Sequence, residues 1–582
     1  MHRNLPQPLA RTALGVLVVT LFAAGCSAPA PPVSARPPAD LLFLGDHIVT
    51  MDDALAGANA VAVRGDTIVA VGDADELLAL QGPQTRTIEL GEQALVPGFI
   101  DAHGHVAFVA RLIDFVNLSS PPVGPVEKMD DIVRLLRERI AEREVPAGEW
   151  VFGYGYDDSL IAENRHPTRD DLDGASTDHP IALMHVSGHL AAVNSAALTA
   201  VGIDSDTVDP PGGVIRRRPN TNEPNGVMEE TAAVPFTLGQ FGRVGPERFE
   251  RLLRRALDYH ASFGITTVQD GGAILPDVAA MRAAAGREAF AIDVVAYVMT
   301  NALDDETVDG IRHDPAYDGG FRIGGAKFVL DGSPQGRTAW LSEPYTEGPE
   351  NAPADYVAYP AYDIDTYKER VARLIERRTP VLVHANGDAA IDATIEGIAE
   401  AVDPAALPDH RTVIIHAQLM RPDQLPAVKA LGLVPSYYAA HPFFWGDWHR
   451  RSFGEERAAH TSPVKATIEH GIPLTVHNDA PVVPPDIMRL IHITVNRTTR
   501  SGHVLGPEQR ASVAEALHAV TQGAAYQYFE EDSKGSITPG KRADLVILGA
   551  DPLTADPTTL ADTPVIETFA RGRSVFRRSP DS

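Results

Sequence analysis

Cysteine and basic residues are both scarce in this sequence. One cysteine among 582 residues excludes intrachain disulfide bonds, so the core must hold the fold together even outside the cytoplasm. Only 50 lysines and arginines stand against 78 acidic residues, which gives a net charge of −28. Because a negatively charged surface repels phosphate, this charge argues against a nucleic-acid partner and favours small molecules as partners.

The N-terminal segment is typical of a secretory signal peptide. Two arginines precede an apolar run over 12–24, which is too short for a membrane span. Small residues then precede Cys26 in an order that resembles a bacterial lipobox, a motif in which the cysteine is lipidated. The alternative is a secreted protein in which Cys26 has no such role. We expect a signal peptide over 1–25, a Pro- and Ala-rich tether over 26–40, and an extracytoplasmic protein anchored to a bacterial membrane by lipid.

Short alternating runs at both ends of the chain predict antiparallel β-structure. In the segment 41–96, Gly65-Asp66 separates two such runs and is a strong hairpin signal. The segment 534–582 has the same character. We expect the two ends to form one composite β-sandwich, with the middle of the chain folded as a separate body.

The middle segment, 97–533, alternates strand-like and helix-like runs. This order is typical of an α/β protein with a parallel sheet, and the number of strands favours a (β/α)8 barrel of the TIM type. A long insertion over about 106–245 follows the first strand, and its position at the carboxyl end predicts a lid or substrate domain over the active face. The eight predicted strands are 99–102, 266–269, 292–298, 326–330, 381–383, 413–415, 433–436 and 474–476.

Polar residues end most of these strands. Because the carboxyl ends of barrel strands share one rim, four histidines and a carboxylate are expected to converge there, which favours a metal site over histidines satisfied in the core. The residues are His103 and His105 after the first strand, His384 and His416 at the fifth and sixth, and Asp479 after the eighth.

Lys327 lies inside the apolar fourth strand. Burial there would favour its neutral amine, which reacts with carbon dioxide to give a carbamate able to bridge two metal ions. The alternative is a lysine that reaches the rim and pairs with Asp331. The spacing of Lys327 and Asp331 in the sequence is compatible with both alternatives.

Six motifs along the chain occur together and in a fixed order. They are Pro-Gly-Phe-Ile-Asp-Ala-His-Gly-His over 97–105, Gly-Ile-Thr-Thr-Val-Gln-Asp over 264–270, Lys-Phe-Val-Leu-Asp-Gly over 327–332, His-Ala-Asn-Gly-Asp over 384–388, Asn-Asp-Ala-Pro-Val over 478–482, and the segment 534–546. Together they resemble the amidohydrolase superfamily. The resemblance covers about 41–576 and is closest to the amidohydrolase-3 branch, which includes YtcJ-like proteins and N-substituted formamide deformylases. It implies a barrel with a composite β-sandwich and a metal-dependent hydrolase that cleaves a carbon–nitrogen bond in an amide, N-acyl or N-formyl compound.

The resemblance also implies a set of metal ligands. His103, His105 and Asp479 hold one ion, His384 and His416 hold a second, and carboxylated Lys327 lies between them. The ions are expected to be zinc. Asp479 additionally takes a proton from the attacking hydroxide and returns it to the leaving nitrogen. If Lys327 is unmodified, one ion on the first three ligands remains workable.

The chain departs from the commonest family pattern beside two of these ligands. Ile415 precedes His416 where glutamate is frequent, and His477-Asn478 precede Asp479 where glycine and serine are frequent. Neither change removes a ligand. Both alter the residues that surround the ligands.

Substrate-binding candidates lie in the insertion and after the seventh strand. His185 and His189 belong to a motif similar to one that presents a histidine to the substrate or oxyanion; we favour His189 as the catalytic residue, and a structural histidine is the alternative. The aromatic run over 441–449 suggests a wall for an apolar or aromatic substrate group, although such runs also serve packing. The remaining candidates are Tyr154, Tyr156 and Asp157 in the insertion, and Phe444 and Trp445 in the aromatic run.

Two other functions remain open. A deaminase acting on a cyclic amidine normally uses one metal ion without a carboxylated lysine, so Lys327 argues against it. A catalytically inert lipoprotein that only binds a ligand would not need the complete set of metal and base positions. Hydrolysis of a carbon–nitrogen bond is therefore the leading hypothesis.

Overall fold

The computed structural model describes residues 37–158, 160–186, 188, 190–210, 213–236, 244–349 and 352–579. Cys26 and His189 lie outside these residues. The described chain begins with a four-stranded sheet in the order β3-β2-β1-β4, followed by a strand, β5, that joins another sheet. These elements are β1 (Leu41–Leu44), β2 (Ala60–Arg64), β3 (Thr67–Gly72), α1 (Ala74–Leu77), β4 (Arg86–Glu89) and β5 (Ala94–Pro97).

The insertion forms a six-stranded sheet of its own. After β6 (Phe99–Ile100) and α2 (Val106–Leu112), the strands are ordered β11-β12-β10-β9-β8-β7. One face packs under α3 and the other under α5, each with a separate apolar core. The elements are β7 (Val116–Asn117), α3 (Met129–Glu142), β8 (Val151–Tyr156), α4 (Arg169–Asp173), β9 (Ile181–His185), β10 (Leu190–Val193), α5 (Ser195–Val201), β11 (Gly213–Arg217) and β12 (Pro224–Glu230).

The predicted insertion of about 106–245 includes α2, which packs elsewhere. Val106, Val109 and Ala110 belong to the main apolar core, together with Phe249 of the helix that follows the insertion. The separately packed sheet therefore begins at β7 rather than directly after His105.

Seven further strands join β6 in an eight-stranded parallel sheet in sequential order. The strands are β13 (Ile265–Ala273), β14 (Asp293–Met299), β15 (Phe321–Val329), β16 (Val381–Ala385), β17 (Val413–His416), β18 (Val434–Tyr437) and β19 (Thr475–Val476). The helices are α6 (Pro246–Ala261), α7 (Leu275–Arg287), α8 (Asp305–Gly310), α9 (Ile364–Glu376), α10 (Asp388–Ala401), α11 (Leu425–Ala430), α12 (His441–Phe453), α13 (Glu455–Ala459), α14 (Val464–Glu469), α15 (Ile487–Asn496), α16 (Val513–Ala519) and α17 (Gln522–Gln527).

The sheet curls so that its first and last strands approach each other. The His105 N–H donates to the Ala480 carbonyl at 2.8 Å, and the Asp479 N–H donates to the His103 carbonyl at 3.2 Å. The residues that follow β6 and β19 are thereby held side by side. Within the described ranges, no helix has both the length and the hydropathy needed to cross a membrane.

The C-terminal segment returns to the N-terminal strands. β20 (Leu545–Leu548), β21 (Val565–Ala570) and β22 (Arg573–Arg577) form a sheet in the order β22-β21-β20-β5. β5 pairs antiparallel with β20, and the Phe43 and Phe569 rings meet edge to face at 5.3 Å in a core that both four-stranded sheets share. The two ends of the chain are therefore packed as one unit.

A buried ion network links the C-terminal segment to the parallel sheet. Asp293, at the start of β14, accepts from Lys534 Nζ at 2.8 Å and from Arg542 at 2.7 Å, and it also pairs with Arg571. Burial raises the pKa of Asp293, but the three cations outweigh this effect and lower it to about 2.

Candidate metal centre

His103, His105 and Asp479 come together at the carboxyl end of the parallel sheet. His105 Nε2 lies 3.2 Å from Asp479 Oδ1, and His103 Nε2 lies 3.6 Å from the same oxygen. One ligating atom from each residue lies within 4.8 Å of the others. The backbone bonds between the ends of the sheet hold these three residues in place, since His103, His105 and Asp479 all take part in them.

A chain of hydrogen bonds sets the orientation of His103. Gln269 donates through Nε2 to the Ala102 carbonyl and to the Tyr528 hydroxyl, so its Oε1 faces His103 Nδ1 at 2.6 Å as an acceptor. His103 therefore carries its proton on Nδ1 and directs the lone pair of Nε2 at Asp479. Burial lowers the pKa of His103 well below its ordinary value, so the ring is neutral, as a metal ligand must be.

Asp479 is ionised and held in an unusual backbone conformation. Burial raises its pKa, but His105, His477 and Lys327 together lower it below the ordinary value. Its φ of 57° is in the left-handed region, which residues other than glycine seldom adopt. Oδ1 is buried between the two Nε2 atoms and has no well-directed hydrogen bond among the described residues. A carboxylate oxygen in that position fits a cation.

Lys327 lies inside β15 and is 1% exposed. Its Nζ is 3.4 Å from His103 Nε2, and burial lowers its pKa from the ordinary 10.5 to about 7. The alternative partner, Asp331, is engaged by other groups: it accepts from the backbone of Trp340 and Gly387 at 3.1 and 2.8 Å. The amine therefore faces the histidine cluster, and its lowered pKa makes the neutral form available near pH 7.

His384 is oriented by Asp331. Its Nδ1 lies 3.0 Å from Asp331 Oδ1, which also accepts from the Asn386 backbone at 3.0 Å. A buried carboxylate on Nδ1 leaves the lone pair on Nε2, which is the usual arrangement behind a metal-ligating histidine. The His384 ring is 4.5 Å from that of His416, so the two lie together as a pair.

His416 is supported by His477, which the sequence analysis names as a departure from the family pattern among the residues around the ligands, without predicting this contact. His416 Nδ1 lies 3.1 Å from His477 Nε2, and His477 Nδ1 lies 3.0 Å from Ser436 Oγ. The His477 ring is 5.2 Å from that of His103, so it lies between the two groups of candidate ligands. The signal for it was the unusual His477-Asn478 pair before Asp479.

A cavity of about 390 Å³ lies between α2 and the insertion, and the described residues that line it include none of the candidate metal ligands named above. It is bordered by Ala480, which follows the candidate ligand, and by α2, which begins after His105. Two predicted substrate-binding residues, Tyr154 and His185, line it. Most of the remaining lining is apolar, including Phe108, Val109, Leu112, Ile113, Tyr259 and Val482.

Tyr156 and Asp157, also predicted to bind substrate, lie away from this lining. A bulge separates Tyr154 from Tyr156 in β8, with Gly155 at a φ of +86°. The bulge cancels the alternation that would have put both rings on one face. Tyr156 is fully buried in the core of the insertion, and Asp157 is close enough to Arg500 for their charges to interact.

Phe444 and Trp445 lie on α12 and do not line the cavity beside Asp479. The Trp445 ring is 5.8 Å from Tyr438, and the Tyr438 ring is 6.0 Å from His416. Phe444 packs under the guanidinium of Arg500, 5.4 Å from its centre. The structure thus separates the aromatic run from the cluster by one layer of rings.

The donor set fits a divalent metal ion. Two imidazole nitrogens and one carboxylate, at mutual distances near those of ligands on a single ion, suit zinc and several other transition metals. Burial lowers the pKa of His105, but the Asp479 carboxylate outweighs this effect and raises it, so a bound ion would displace a proton from this ring. In such a site the ion would be held by His103, His105 and Asp479. His384 and His416 would offer nitrogen ligands to a second ion next to it.

Sequence comparison identifies relatives along nearly the whole chain. Residues 86–576 match the amidohydrolase family. The chain is 26% identical over 551 residues to the N-substituted formamide deformylase of Arthrobacter pascens, with 93% of this chain and 99% of that protein covered. It is 29% identical over 558 residues to YtcJ of Bacillus subtilis (strain 168), with 92% and 99% covered.

Solved structures share the fold. A metal-dependent hydrolase from Pyrococcus furiosus superposes with a TM-score of 0.67 at 24% identity, covering 88% of this chain and all of that one (100%). Atrazine chlorohydrolase TrzN from Arthrobacter aurescens TC1, complexed with zinc, gives 0.51 at 14% identity, with 92% and 94% covered. By the extent of the family match, the chain belongs to the amidohydrolase family and is an enzyme that hydrolyses carbon–nitrogen bonds other than peptide bonds.

Proposed function

We propose that the protein is a metal-dependent hydrolase that cleaves an amide, N-acyl or N-formyl bond in a small molecule. The observation that carries this proposal is the meeting of His103, His105 and Asp479 within 4.8 Å. A cavity of about 390 Å³, large enough for a small substrate, reaches Ala480, the residue after Asp479. The relatives named above include a deformylase of N-substituted formamides, which supports the bond type.

Each residue of the cluster has a definable task. When bound, a divalent ion supplies polarisation of the substrate carbonyl and lowers the pKa of water. His103 and His105 hold the ion through Nε2, and Gln269 keeps His103 in the required tautomer. Asp479, ionised at neutral pH, accepts a proton at a carboxylate oxygen and passes it to the leaving nitrogen.

We extend the proposal to two ions, with zinc as the metal and Lys327 as their shared ligand. The neutral amine adds to carbon dioxide, a nitrogen–carbon bond forms, and one proton is released to solvent. The resulting carbamate would offer its oxygens to the ion at His103, which lies 3.4 Å from the Lys327 nitrogen, and to an ion held by the His384–His416 pair. The low pKa of Lys327 supports this step because the amine is available near pH 7.

The cavity indicates the substrate class. Its wall is mostly apolar, and Tyr154 and His185 are polar groups on the insertion side. A small amide with an aliphatic or aromatic substituent would bury that substituent against α2 and leave the scissile bond near Asp479. We keep His189 as the candidate for a contact to the substrate or oxyanion.

The proposal includes the location and the domain arrangement expected from sequence. Cys26 would carry the lipid, the tether over 26–40 would join it to the folded body, and the body would face outward from a bacterial membrane. The eight-stranded sheet would close as a (β/α)8 barrel over 97–533, and the segments 41–96 and 534–582 would pack as a composite β-sandwich. The shared core of the two end segments and the contacts between the sheet's edges support this arrangement.

A substrate screen tests the proposed activity. Metal-reconstituted protein is incubated with N-acyl, N-formyl and cyclic amides, and release of the amine is followed. Asp479→Asn is expected to lower kcat for a hit by about 10²- to 10⁴-fold, the range for loss of a general base. Asp556→Asn makes the same chemical change at an exposed helix cap and should leave the rate unchanged.

Two outcomes would contradict the proposal. Equal rates for Asp479→Asn and the parent would remove Asp479 from the chemistry. Protein that binds no divalent ion and hydrolyses none of these amides would favour the inert ligand-binding lipoprotein instead.

A further inference from the structure

A second cluster of metal-ligating side chains lies in the insertion, away from the parallel sheet. Asp158 follows β8 by two residues, His185 ends β9, and His166 lies in the loop that leads to α4. One ligating atom from each of the three lies within 4.8 Å of the others. Three separate segments of the insertion therefore converge on one point.

The distances at this cluster combine one direct hydrogen bond, between His185 and Asp158, with a wider gap to His166 that a shared ion would span. His185 Nε2 is 3.0 Å from Asp158 Oδ1, and His166 Nε2 is 3.6 Å from Asp158 Oδ2. The second distance is too long for a hydrogen bond. Ligands bound to one zinc ion at about 2.0–2.1 Å are separated by roughly 3.3 Å, between the two observed values.

The surroundings of the cluster resemble those of known metal ligands. The Tyr156 hydroxyl, fully buried, lies 3.3 Å from His166 Nδ1. A hydroxyl that accepts from Nδ1 would leave the lone pair of His166 on Nε2, which faces Asp158. The nearby cation, Arg216, is neutralised by its ion pair with Glu229.

The cluster also has room for further ligands. The Asp158 side chain is 32% exposed, while those of His166 and His185 are 12% and 11% exposed. An ion there would be held from one side by protein and would complete its coordination with water. Two imidazoles and one carboxylate favour zinc, cobalt, nickel, manganese or iron over calcium and magnesium.

We propose that Asp158, His166 and His185 bind a divalent transition-metal ion in the insertion, distinct from the ion at Asp479. The ion links the ends of β8 and β9 to the loop before α4. Because His185 also lines the cavity beside Asp479, the ion fixes one wall of that cavity. Its role is to hold the insertion in shape over the substrate.

Metal stoichiometry tests this site. Full-length protein is dialysed against a low, fixed concentration of Zn²⁺, and bound zinc per chain is measured by mass spectrometry. His166→Gln and Asp158→Asn are each expected to bind one ion fewer than the parent. Asp178→Asn, an exposed acid of the same insertion, is the matched control and should bind as many ions as the parent. Circular dichroism confirms that each variant is folded.

The comparison with the other site makes the result independent of the proposed function. His166→Gln is also made in an Asp479→Asn background, and the loss of one ion should persist there. Equal zinc content with and without His166→Gln would overturn the proposal.

Hydrogen exchange supplies a second measurement that needs no variant of the cluster. Zn²⁺ added to metal-free Asp479→Asn protein should slow exchange over 156–168 and 181–186. Unchanged exchange in both segments would equally overturn the proposal.

Discussion

Replacing Lys327 with methionine should stabilise the metal-free protein, and by an amount that depends on pH. The fall in the pKa of Lys327 from 10.5 to about 7 corresponds to about 5 kcal/mol of unfavourable free energy for keeping the protonated amine in the fold. Between these two pKa values the unfolded chain binds more protons than the folded one. The stability of the parent therefore rises with pH across that window.

The gain from Lys327→Met should accordingly be full below about pH 7 and small near the ordinary pKa of lysine. We expect about 5 kcal/mol at about pH 6 and about 1 kcal/mol at about pH 9.5, since about 1.4 kcal/mol accompanies each pH unit. Methionine fills a similar volume without a charge, so packing changes little. The assay is the urea midpoint of metal-free protein in buffers freed of carbon dioxide.

Lys534→Met is the matched control, because Lys534 is an equally buried lysine with the opposite environment. Its Nζ donates to Asp293 at 2.8 Å and to Thr267 Oγ1 at 3.0 Å, and these surroundings raise its pKa above the ordinary value. Removing it takes away one of the three cations around the buried Asp293 and should destabilise the protein at both pH values. A gain for Lys327→Met that did not change with pH, or a loss comparable to that of Lys534→Met, would refute the reasoning.

Other consequences of the structure can be measured separately. Asp293→Asn should destabilise the protein by about 3–5 kcal/mol at neutral pH, because three cations lose their carboxylate. In the parent, the free energy of unfolding should fall by about 2 kcal/mol as the pH falls from about 4 to about 2, because the pKa of Asp293 is lowered to about 2. Unchanged acid sensitivity in the variant would contradict this. Gly271→Ala places a Cβ 2.2 Å from the His103 ring and should therefore lower zinc affinity about 10- to 100-fold, as measured by equilibrium dialysis. Gly286→Ala is the control, because its Cβ would have no heavy atom within 4 Å. Chelation should abolish amide hydrolysis and added zinc restore it; hydrolysis that survives complete removal of metal would count against the proposed function.

The eight strands could be predicted from sequence because a parallel sheet buries both faces of each strand. Their apolar runs have no competing helical period, and each predicted strand overlaps an observed one. What the pattern did not show is how short the edge strands are: β6 and β19 contain two residues each. They end early because the chain turns there to bring His103 and Asp479 side by side.

Only part of the candidate metal centre could be predicted from the sequence. Residues at strand ends could be assigned to one rim from topology alone, which brings His103, His105 and Asp479 together. The family pattern singles out His477 as an unusual residue before Asp479, but its contact with His416 could not be predicted, because a buried neutral imidazole behind a ligand has no spacing pattern of its own. The bulge at Gly155 could have been considered from sequence, because a glycine within a strand often marks a bulge that interrupts the alternation of side chains. Here the bulge places Tyr154 and Tyr156 in different surroundings.

The pairing of β5 with β20 has a consequence for synthesis of the protein. β5 leaves the ribosome more than four hundred residues before its partner strand, so its edge stays unpaired throughout most of translation. An unpaired apolar edge is a site for association with other chains. We therefore expect β5 to find its partner only after the last segment has emerged, and a chain that lacks that segment to aggregate rather than to form a smaller enzyme.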